Sequence, residues 1–370
     1  MSGGRDFDRF HLTRFCFVLM KRKTWSILTA GALIAALLAI SLTVIVIDPF
    51  QVYRLASLYM PPIDRSTQVY ANAGIARNYE YDSAIVGTSV TENFHPRLMD
   101  EALGGRFIKL CSSAGTTYSH SLLLDLAFRT HDMRRVVYGL DVYSFIGALT
   151  ETPTPVPLYL YDDNIFNDAQ YWLNRSVLGS FLPRCLRAWG QKQDDSIRDT
   201  MYDWGGEYQY GKDYVMYNQS FPEPESRLGA EDLVAICKAN LETNLIPFIE
   251  GHPETQFDFF YPPYSAAEWA SMESKGILEA MLTLRGVCYD ALSQYPNVKI
   301  YDFAAHEAWT LDLHNYKDML HYGPWINDAM VEAIAAGEFI VQNRTQLDAA
   351  TAQLRSRALE IFSAGRWLYE

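Results

Sequence analysis

Charge is missing from one long stretch near the N-terminus. Residues 25–47 form a run of 23 residues without a single charged side chain. At about 1.5 Å per residue, a helix of that length covers the roughly 30 Å hydrocarbon core of a bilayer. A cleaved signal peptide is the alternative, but its apolar region is shorter and ends at small residues, whereas this run leads into Asp48 and Pro49. The run is therefore predicted to be one N-terminal transmembrane helix.

The charges that flank this helix predict its orientation. Lys21, Arg22 and Lys23 precede the apolar run and Asp48 follows it. Because positive residues stay on the cytoplasmic side, residues 1–24 are predicted to be a cytoplasmic tail and residues 48–370 an extracytoplasmic domain. The predicted localisation is the cell membrane, with a single pass.

Cysteine is scarce, and its spacing excludes the common zinc sites. The five cysteines form no CxxC pair and no Cys/His pattern, and the histidines show no ligand spacing. We therefore expect no metal and no cofactor. The four exported cysteines are expected to be buried free thiols, and one disulfide stays open as an alternative in an oxidising compartment: Cys111, Cys185, Cys237 and Cys288.

Basic residues are also few beyond the tail. Of the 31 basic and 44 acidic side chains, residues 1–24 hold six and two, which leaves 25 and 42 for the rest, a net charge of −17. Such a body repels nucleic acid and anionic lipid headgroups, so no nucleic-acid partner is expected. Acidity also serves solubility alone, and it identifies no substrate.

No internal repeat and no Gly/Ser-rich linker divides the exported part, which favours one domain with an insertion. Short apolar runs alternate with helical patterns, which predicts an α/β fold with a parallel sheet. The predicted strands are 83–87, 107–110, 135–140, 257–261 and 298–303, and the predicted helices lie near 95–103, 118–130, 229–248 and 266–294, with another from about 324.

Residues 149–228 interrupt this alternation. They are rich in Tyr, Trp, Pro and Asp and show one helical stretch, at about 168–186. We interpret them as an aromatic-rich insertion that covers the carboxyl edge of the sheet, where ligands bind in open α/β folds. The aromatic rings either shape a substrate cleft or pack only the core of the insertion.

Ser89 follows the first predicted strand directly, in the sequence Gly87-Thr88-Ser89. A serine on a strand-to-helix turn has its hydroxyl at the open edge and its N–H near a helix N-terminus, which suits a nucleophile. Helix capping is the alternative role of such a serine. Gly115 lies just past the second strand, where its N–H is a candidate oxyanion donor or simply part of a turn.

Asp318 and His321 lie three residues apart near the C-terminus. A tight turn there would bring the carboxylate to one imidazole nitrogen and leave the other nitrogen facing a serine. A capping aspartate beside an unrelated histidine is the alternative. Together, the serine, the glycine and the Asp-x-x-His pair all fall at the carboxyl ends of predicted strands or in the loop after the last one.

In these motifs the chain resembles the SGNH/GDSL hydrolase superfamily. The resemblance implies a flavodoxin-like three-layer α/β/α fold, Ser89 as nucleophile, His321 as base, Asp318 as its orienter, and the N–H groups of Ser89 and Gly115 as oxyanion donors. The family's usual oxyanion asparagine follows the third strand, where this chain has Asp141. An ionised Asp141 cannot donate, so either it is protonated, Asn93 substitutes, or the hole is incomplete.

The layout also resembles membrane-tethered envelope proteins of the SGNH type, related in architecture to the D-alanyl-lipoteichoic-acid transfer protein and to alginate acetylation factors. Asp48-Pro49-Phe50 after the anchor and the segment Phe259–Ser265 carry this likeness. It implies a serine esterase or acyltransferase acting on acyl esters of a cell-envelope glycopolymer. The implied partners are that polymer or a lipid-linked intermediate, and a membrane acyltransferase.

Two alternatives accompany these predictions. The first is a non-catalytic SGNH-like binding or assembly factor, which Asp141 at the oxyanion position favours. The second is a purely structural anchor, which would leave the serine and the Asp-x-x-His pair as coincidence. Tyr264 follows two prolines after the fourth strand and either lines the site or belongs to a plain structural turn.

Overall fold

The structure, a computed structural model, describes residues 6–218 and 229–364. The first five residues of the predicted tail, the last ten of the predicted insertion and residues 365–370 lie outside the described residues. Side chains of the helix before Arg22 are likewise not described.

Five parallel strands form the central sheet, which confirms the predicted α/β class. The strands are β1 (Ser83–Gly87), β2 (Phe107–Cys111), β3 (Arg135–Gly139), β4 (Gln256–Tyr261) and β5 (Val298–Asp302). Their spatial order is β2-β1-β3-β4-β5, the flavodoxin-like order. In this order β2 lies on one side of β1 and the later strands are added on the other side. All five residues of β1 are buried, as expected for a strand covered on both faces.

Helices cover both faces of this sheet. In the described part of the chain they are α1 (Asp6–Ile47), α2 (Gln68–Asn78), α3 (Pro96–Leu103), α4 (Thr117–Thr130), α5 (Ala169–Trp172), α6 (Leu182–Arg187), α7 (Ile197–Thr200), α8 (Lys212–Asn218), α9 (Ala230–Asn244), α10 (Ile246–Gly251), α11 (Ala266–Ser274), α12 (Leu278–Leu292), α13 (Glu307–Thr310), α14 (Pro324–Ala336) and α15 (Arg344–Ala364). Helices α2, α4, α9 and α12 pack in succession, and α3 packs on α14. Right-handed crossovers on either side of β1 place these two groups on opposite faces, which makes three layers.

Three predicted helices are divided in the structure. The pattern at 266–294 gives two helices, α11 and α12, because Gly276 takes a left-handed conformation with a φ of +70°. The stretch at 168–186 is broken into α5, a π-helical turn and α6, since the Asn174 side chain caps a new start at Ser176 and Val177. The pattern at 229–248 gives α9 and α10, because Pro247 in the first turn of α10 lacks the N–H that would continue α9.

Helix α1 contains the predicted membrane segment. Residues Arg22–Ile47 are long and apolar enough to cross a membrane, and only 6% of their most apolar window is buried in the protein. The last turn is different, because Val44 is fully buried in the core of the folded body.

Candidate active site

The turn that carries Ser89 lies directly on the carboxyl edge of the sheet. Ser89 is the first residue of a short 3₁₀ helix, Ser89–Thr91, that follows β1. Thr91 packs against two glycines at strand ends, and a Cβ added to Gly87 or Gly139 would lie 2.6 or 3.1 Å from its Cγ2. The small residues let the turn approach the sheet closely, which sets the position of the Ser89 hydroxyl.

His321 meets Ser89 across the edge of the sheet. The Ser89 Oγ lies 2.8 Å from the His321 Nε2, although 232 residues separate the two in the chain. Both residues are partly exposed. A distance below 3.2 Å is that of a direct hydrogen bond between a nucleophile and a base.

Asp318 holds the other imidazole nitrogen. The His321 Nδ1 lies 2.9 and 3.0 Å from the two Asp318 carboxylate oxygens. The N–H groups of Leu320 and His321 both donate to Asp318 Oδ1, at 2.9 and 2.7 Å, so the carboxylate is fixed by its own turn. Burial raises the pKa of Asp318, but the hydrogen bonds and charge of His321 outweigh it and hold the pKa below its usual value.

The loop of Asp318 also carries the positively charged side chain of Lys317. The Lys317 Nζ lies 3.8 Å from the carboxylate of Asp318 and over the rings of Trp204 and Tyr208, at 4.2 and 3.9 Å from their centroids. Cation–π contacts of this kind fix a lysine that would otherwise move in solvent. This side of the site is thereby ordered by charge and aromatic packing together.

Trp204 forms a wall of the site that the sequence did not identify. Its ring meets the imidazole of His321 edge-on, with 5.4 Å between centroids and an interplanar angle of 89°. Its Nε1 donates to the Ser89 carbonyl at 3.2 Å, and its backbone N–H donates to the Asn93 Oδ1 at 3.0 Å. Trp204 comes from the described part of the aromatic-rich segment 149–228, and aromatic enrichment there is the signal that pointed to it only in general terms.

The Asp141 carboxylate is engaged by three hydrogen-bond donors. Its carboxylate accepts hydrogen bonds from the Thr88 hydroxyl at 2.6 Å, the Tyr143 N–H at 3.0 Å and the Tyr264 hydroxyl at 2.5 Å. Burial and the neighbouring Asp141 raise the pKa of Tyr264 well above its usual value, so Tyr264 stays protonated and donates. Asp141 therefore serves as the acceptor for three donors, and it holds Thr88, the residue before the nucleophile.

The other candidate oxyanion donors differ in whether their N–H groups already have an acceptor. The Gly115 N–H donates to the Ser112 carbonyl at 2.8 Å, which commits it to a turn. The Asn93 Nδ2 is buried and has no acceptor among the described residues. The Ser89 N–H, at the first position of its 3₁₀ turn, has no acceptor within that turn. Tyr264 is buried against Asp141 and does not line the open side.

Comparisons with known proteins add little to this geometry. No family model matches the chain, and no curated protein matches it. Among solved structures, the chain is similar to a provisionally named platelet activating factor from Streptococcus pneumonia. The identity is 10%, the match covers 74% of this chain and 91% of that chain, and the TM-score is 0.40. A likeness that weak carries no argument about function.

Proposed function

We propose that the protein is a membrane-anchored, extracytoplasmic serine esterase or acyltransferase that acts on acyl esters of a cell-envelope glycopolymer. One observation supports this proposal above all others: the hydrogen-bonded line from Asp318 through His321 to Ser89. This is the arrangement of orienter, base and nucleophile in acyl transfer.

In the first step, the Ser89 Oγ forms a bond to the acyl carbon while its proton passes to the His321 Nε2. Asp318 keeps the proton of Nδ1 in place and stabilises the imidazolium that forms. The C–O bond to the alcohol then breaks, and the departing oxygen takes the proton from Nε2. The product is an acyl-serine at Ser89 and a free hydroxyl on the donor.

In the second step, an incoming hydroxyl gives its proton to the same Nε2 and attacks the acyl carbon. Water as the nucleophile gives hydrolysis, and a hydroxyl of a sugar gives transfer. The bond to the Ser89 Oγ breaks, and the serine regains its proton from His321.

The negative oxygen of each intermediate needs donors, and the Ser89 N–H is the first of them. Asn93 is the second in this proposal, because its buried amide Nδ2 lacks an acceptor and lies four residues from the nucleophile. In this proposal the Asn93 amide turns toward the acyl group when substrate binds. Asp141 then acts on the position of Thr88 and makes no direct contact with the oxyanion.

Two exposed aromatic rings, Tyr208 and Trp325, suit a carbohydrate substrate. Tyr208 packs edge-on against Trp204, and Trp325 lies four residues after His321; their side chains are 44% and 45% exposed. Apolar C–H faces of sugar rings pack well on such amphipathic rings. The anchor favours a polymer or a lipid-linked intermediate at the membrane over freely diffusing esters, with a membrane acyltransferase as the source of the acyl group.

A soluble chromogenic ester tests the chemistry. The full chain in detergent should turn over p-nitrophenyl acetate and should label with a fluorophosphonate, and Ser89→Ala should abolish both. Ser180→Ala is the matched control, because Ser180 is exposed in the π-helical turn Val177–Phe181. Equal activity of wild type and Ser89→Ala at every pH would remove the basis of the proposal.

A non-catalytic binding or assembly factor is the second candidate. It is favoured by the lack of an amide donor at Asp141 and by the shielding of the Asn93 amide in this structure. In that case wild type should bind envelope glycans tightly while Ser89 stays unlabelled by the fluorophosphonate. Labelling of Ser89 would exclude this candidate.

The side of the membrane is tested separately. Lys21, Arg22 and Lys23 before the span support a cytoplasmic N-terminus. Protease added to intact cells or spheroplasts should then digest the folded body. Protection of the body until the membrane is broken would reverse the proposed orientation without affecting the chemistry.

A further inference from the structure

The end of α1 is built into the folded body, with no linker between them. Helices leave their last carbonyls without partners inside the helix. Here the Tyr59 hydroxyl donates to the carbonyls of Ile47 and Asp48, at 2.7 Å each. The Arg54 guanidinium donates to the carbonyl of Val46. Together with the buried Val44, these contacts fix the direction of the helix relative to the body.

Asp48 also ties the insertion to this point. Its carboxylate accepts from the N–H groups of Val52 and Tyr53, at 3.0 and 2.8 Å, and from the hydroxyl of Tyr171 at 3.1 Å. Tyr171 belongs to α5 in the segment between β3 and α9. The chain just after the helix and the insertion therefore form one unit around the helix exit.

Around this exit the protein exposes apolar side chains. An antiparallel bridge joins Tyr59 to Trp189, and the Gly190 N–H donates to the Leu58 carbonyl at 2.7 Å. The side chains of Leu58 and Trp189 are 57% and 50% exposed. We call the exposed apolar residues of these two paired segments the helix-exit face: Leu55, Leu58, Met60, Leu186 and Trp189.

The two segments that carry the helix-exit face are positively charged, whereas the whole chain is negatively charged. Residues 49–60 and 182–192 contain four basic and no acidic side chains, in a protein with a net charge of −13. Exposed leucine and tryptophan beside arginine and lysine is the composition that enters the membrane–water interface. Arg54 is engaged by the carbonyls at the end of α1 and Arg184 by Asp64, but Arg187 and Lys192 are exposed. These two side chains can reach lipid phosphates while the apolar ones lie deeper.

We propose that the helix-exit face rests in the interfacial layer of the bilayer that α1 spans, with lipid headgroups as its ligands. The inference rests on the anchoring part of the proposed function, because only a spanning α1 brings this face to a bilayer. It holds for either orientation of the helix across the membrane. The folded body then has one fixed pose on the membrane.

Helix α2 connects the helix exit to the active site, and its length sets the distance of the active site from the membrane surface. At its C-terminal end, the Asn78 amide donates to the carbonyls of Gln51 and Val52 beside the helix exit. At its N-terminal end, the Gln68 side chain contacts Glu92 and Ser113, close to the turn of the nucleophile. The 11 residues of α2 span about 16 Å, so the triad is held within a short, set distance of the lipid surface.

Photocrosslinking in native membranes tests this contact. Benzoylphenylalanine is introduced in the full chain, as Trp189→benzoylphenylalanine and Leu58→benzoylphenylalanine, and adducts are identified by mass spectrometry. Leu38, exposed in the middle of α1, is the positive control for the anchor. Leu359 is the negative control, since it is an exposed leucine of α15, which packs on α11 and α12 away from the edge strand β2.

Lipid adducts at Trp189 and Leu58, at least five times more frequent than at Leu359, are the expected result. Adducts at Leu38 without adducts at Trp189 would overturn the docking and leave the anchor intact. Failure at Leu38 as well would refute the anchor itself, and with it the docking. Adducts of Trp189 to a protein would show that the helix-exit face binds a protein partner and would also overturn the inference.

Discussion

Replacing Asp318 by Asn should abolish catalysis while it leaves the fold intact. In the wild type, Asp318 Oδ1 accepts the backbone N–H groups of Leu320 and His321. Asn has one oxygen, and those two fixed donors should hold it at the Oδ1 position. The NH₂ group then faces the His321 Nδ1, where it can only donate. The imidazole must carry its proton on Nε2, and it can no longer accept the proton of Ser89.

This change of tautomer sets the magnitude. Where an orienting aspartate is replaced by asparagine in a serine triad, kcat falls about 10⁴-fold. We expect a fall of about 10³- to 10⁴-fold in ester turnover here, which corresponds to about 4 to 5.5 kcal/mol of transition-state stabilisation. The assay is p-nitrophenyl acetate hydrolysis by the purified full chain, with thermal unfolding as the check on the fold.

Asp312→Asn is the matched control. Asp312 also caps a short helix and binds a histidine ring two residues on, at 3.0 Å from the His314 Nδ1, but this pair is exposed to solvent. It should keep full activity. Activity of Asp318→Asn within tenfold of wild type, or an equal loss in Asp312→Asn, would refute the assignment of Asp318 as the orienter.

Three further predictions concern the same site. Gly87→Ala should destabilise the protein by about 1–3 kcal/mol and lower activity, because the new Cβ would lie 2.6 Å from the Thr91 Cγ2. Gly179→Ala is the control, because a Cβ at that position meets no atom within 4 Å. Chemical denaturation and ester turnover of both variants test this prediction. Trp204→Phe loses a donor to the Ser89 carbonyl and should slow turnover about three- to tenfold, and an unchanged rate would exclude a role for that bond. The pKa of Asp318 is lower in the folded protein than its unfolded value of 3.8, so the ionised carboxylate stabilises the fold fully above that value. This stabilisation is lost as the pH falls through the folded pKa. The difference in urea midpoint between wild type and Asp318→Asn should therefore disappear only below about pH 4.

The strands of the sheet were predictable because each is a short apolar run with a local pattern. A parallel strand covered on both faces must be apolar throughout, and turn residues mark its ends. Helix boundaries were less predictable. The helix expected at 266–294 is divided at Gly276, which has a left-handed φ of +70° where a continuous helix needs a φ of about −60°.

The candidate site was predictable to the extent that its parts lie at strand ends. Parallel strands bring Ser89 and the loop of His321 to one edge, and the tight turn of Asp318 is local in sequence. The role of Asp141 was not predictable. Its sequence position suggested a repelled oxyanion, whereas its three donors, Thr88, Tyr143 and Tyr264, come from separate parts of the chain.

The sequence by itself determined the apolar helix, the parallel α/β sheet and the order of serine, glycine and Asp-x-x-His, because each depends on residues that are near neighbours in the chain. Only the tertiary structure decided that Ser89 and His321 lie 2.8 Å apart, that Trp204 forms a wall of the site and that the end of α1 is joined rigidly to the body. These contacts join residues from about ten to more than two hundred positions apart, and their distances depend on how whole helices and loops pack on the sheet.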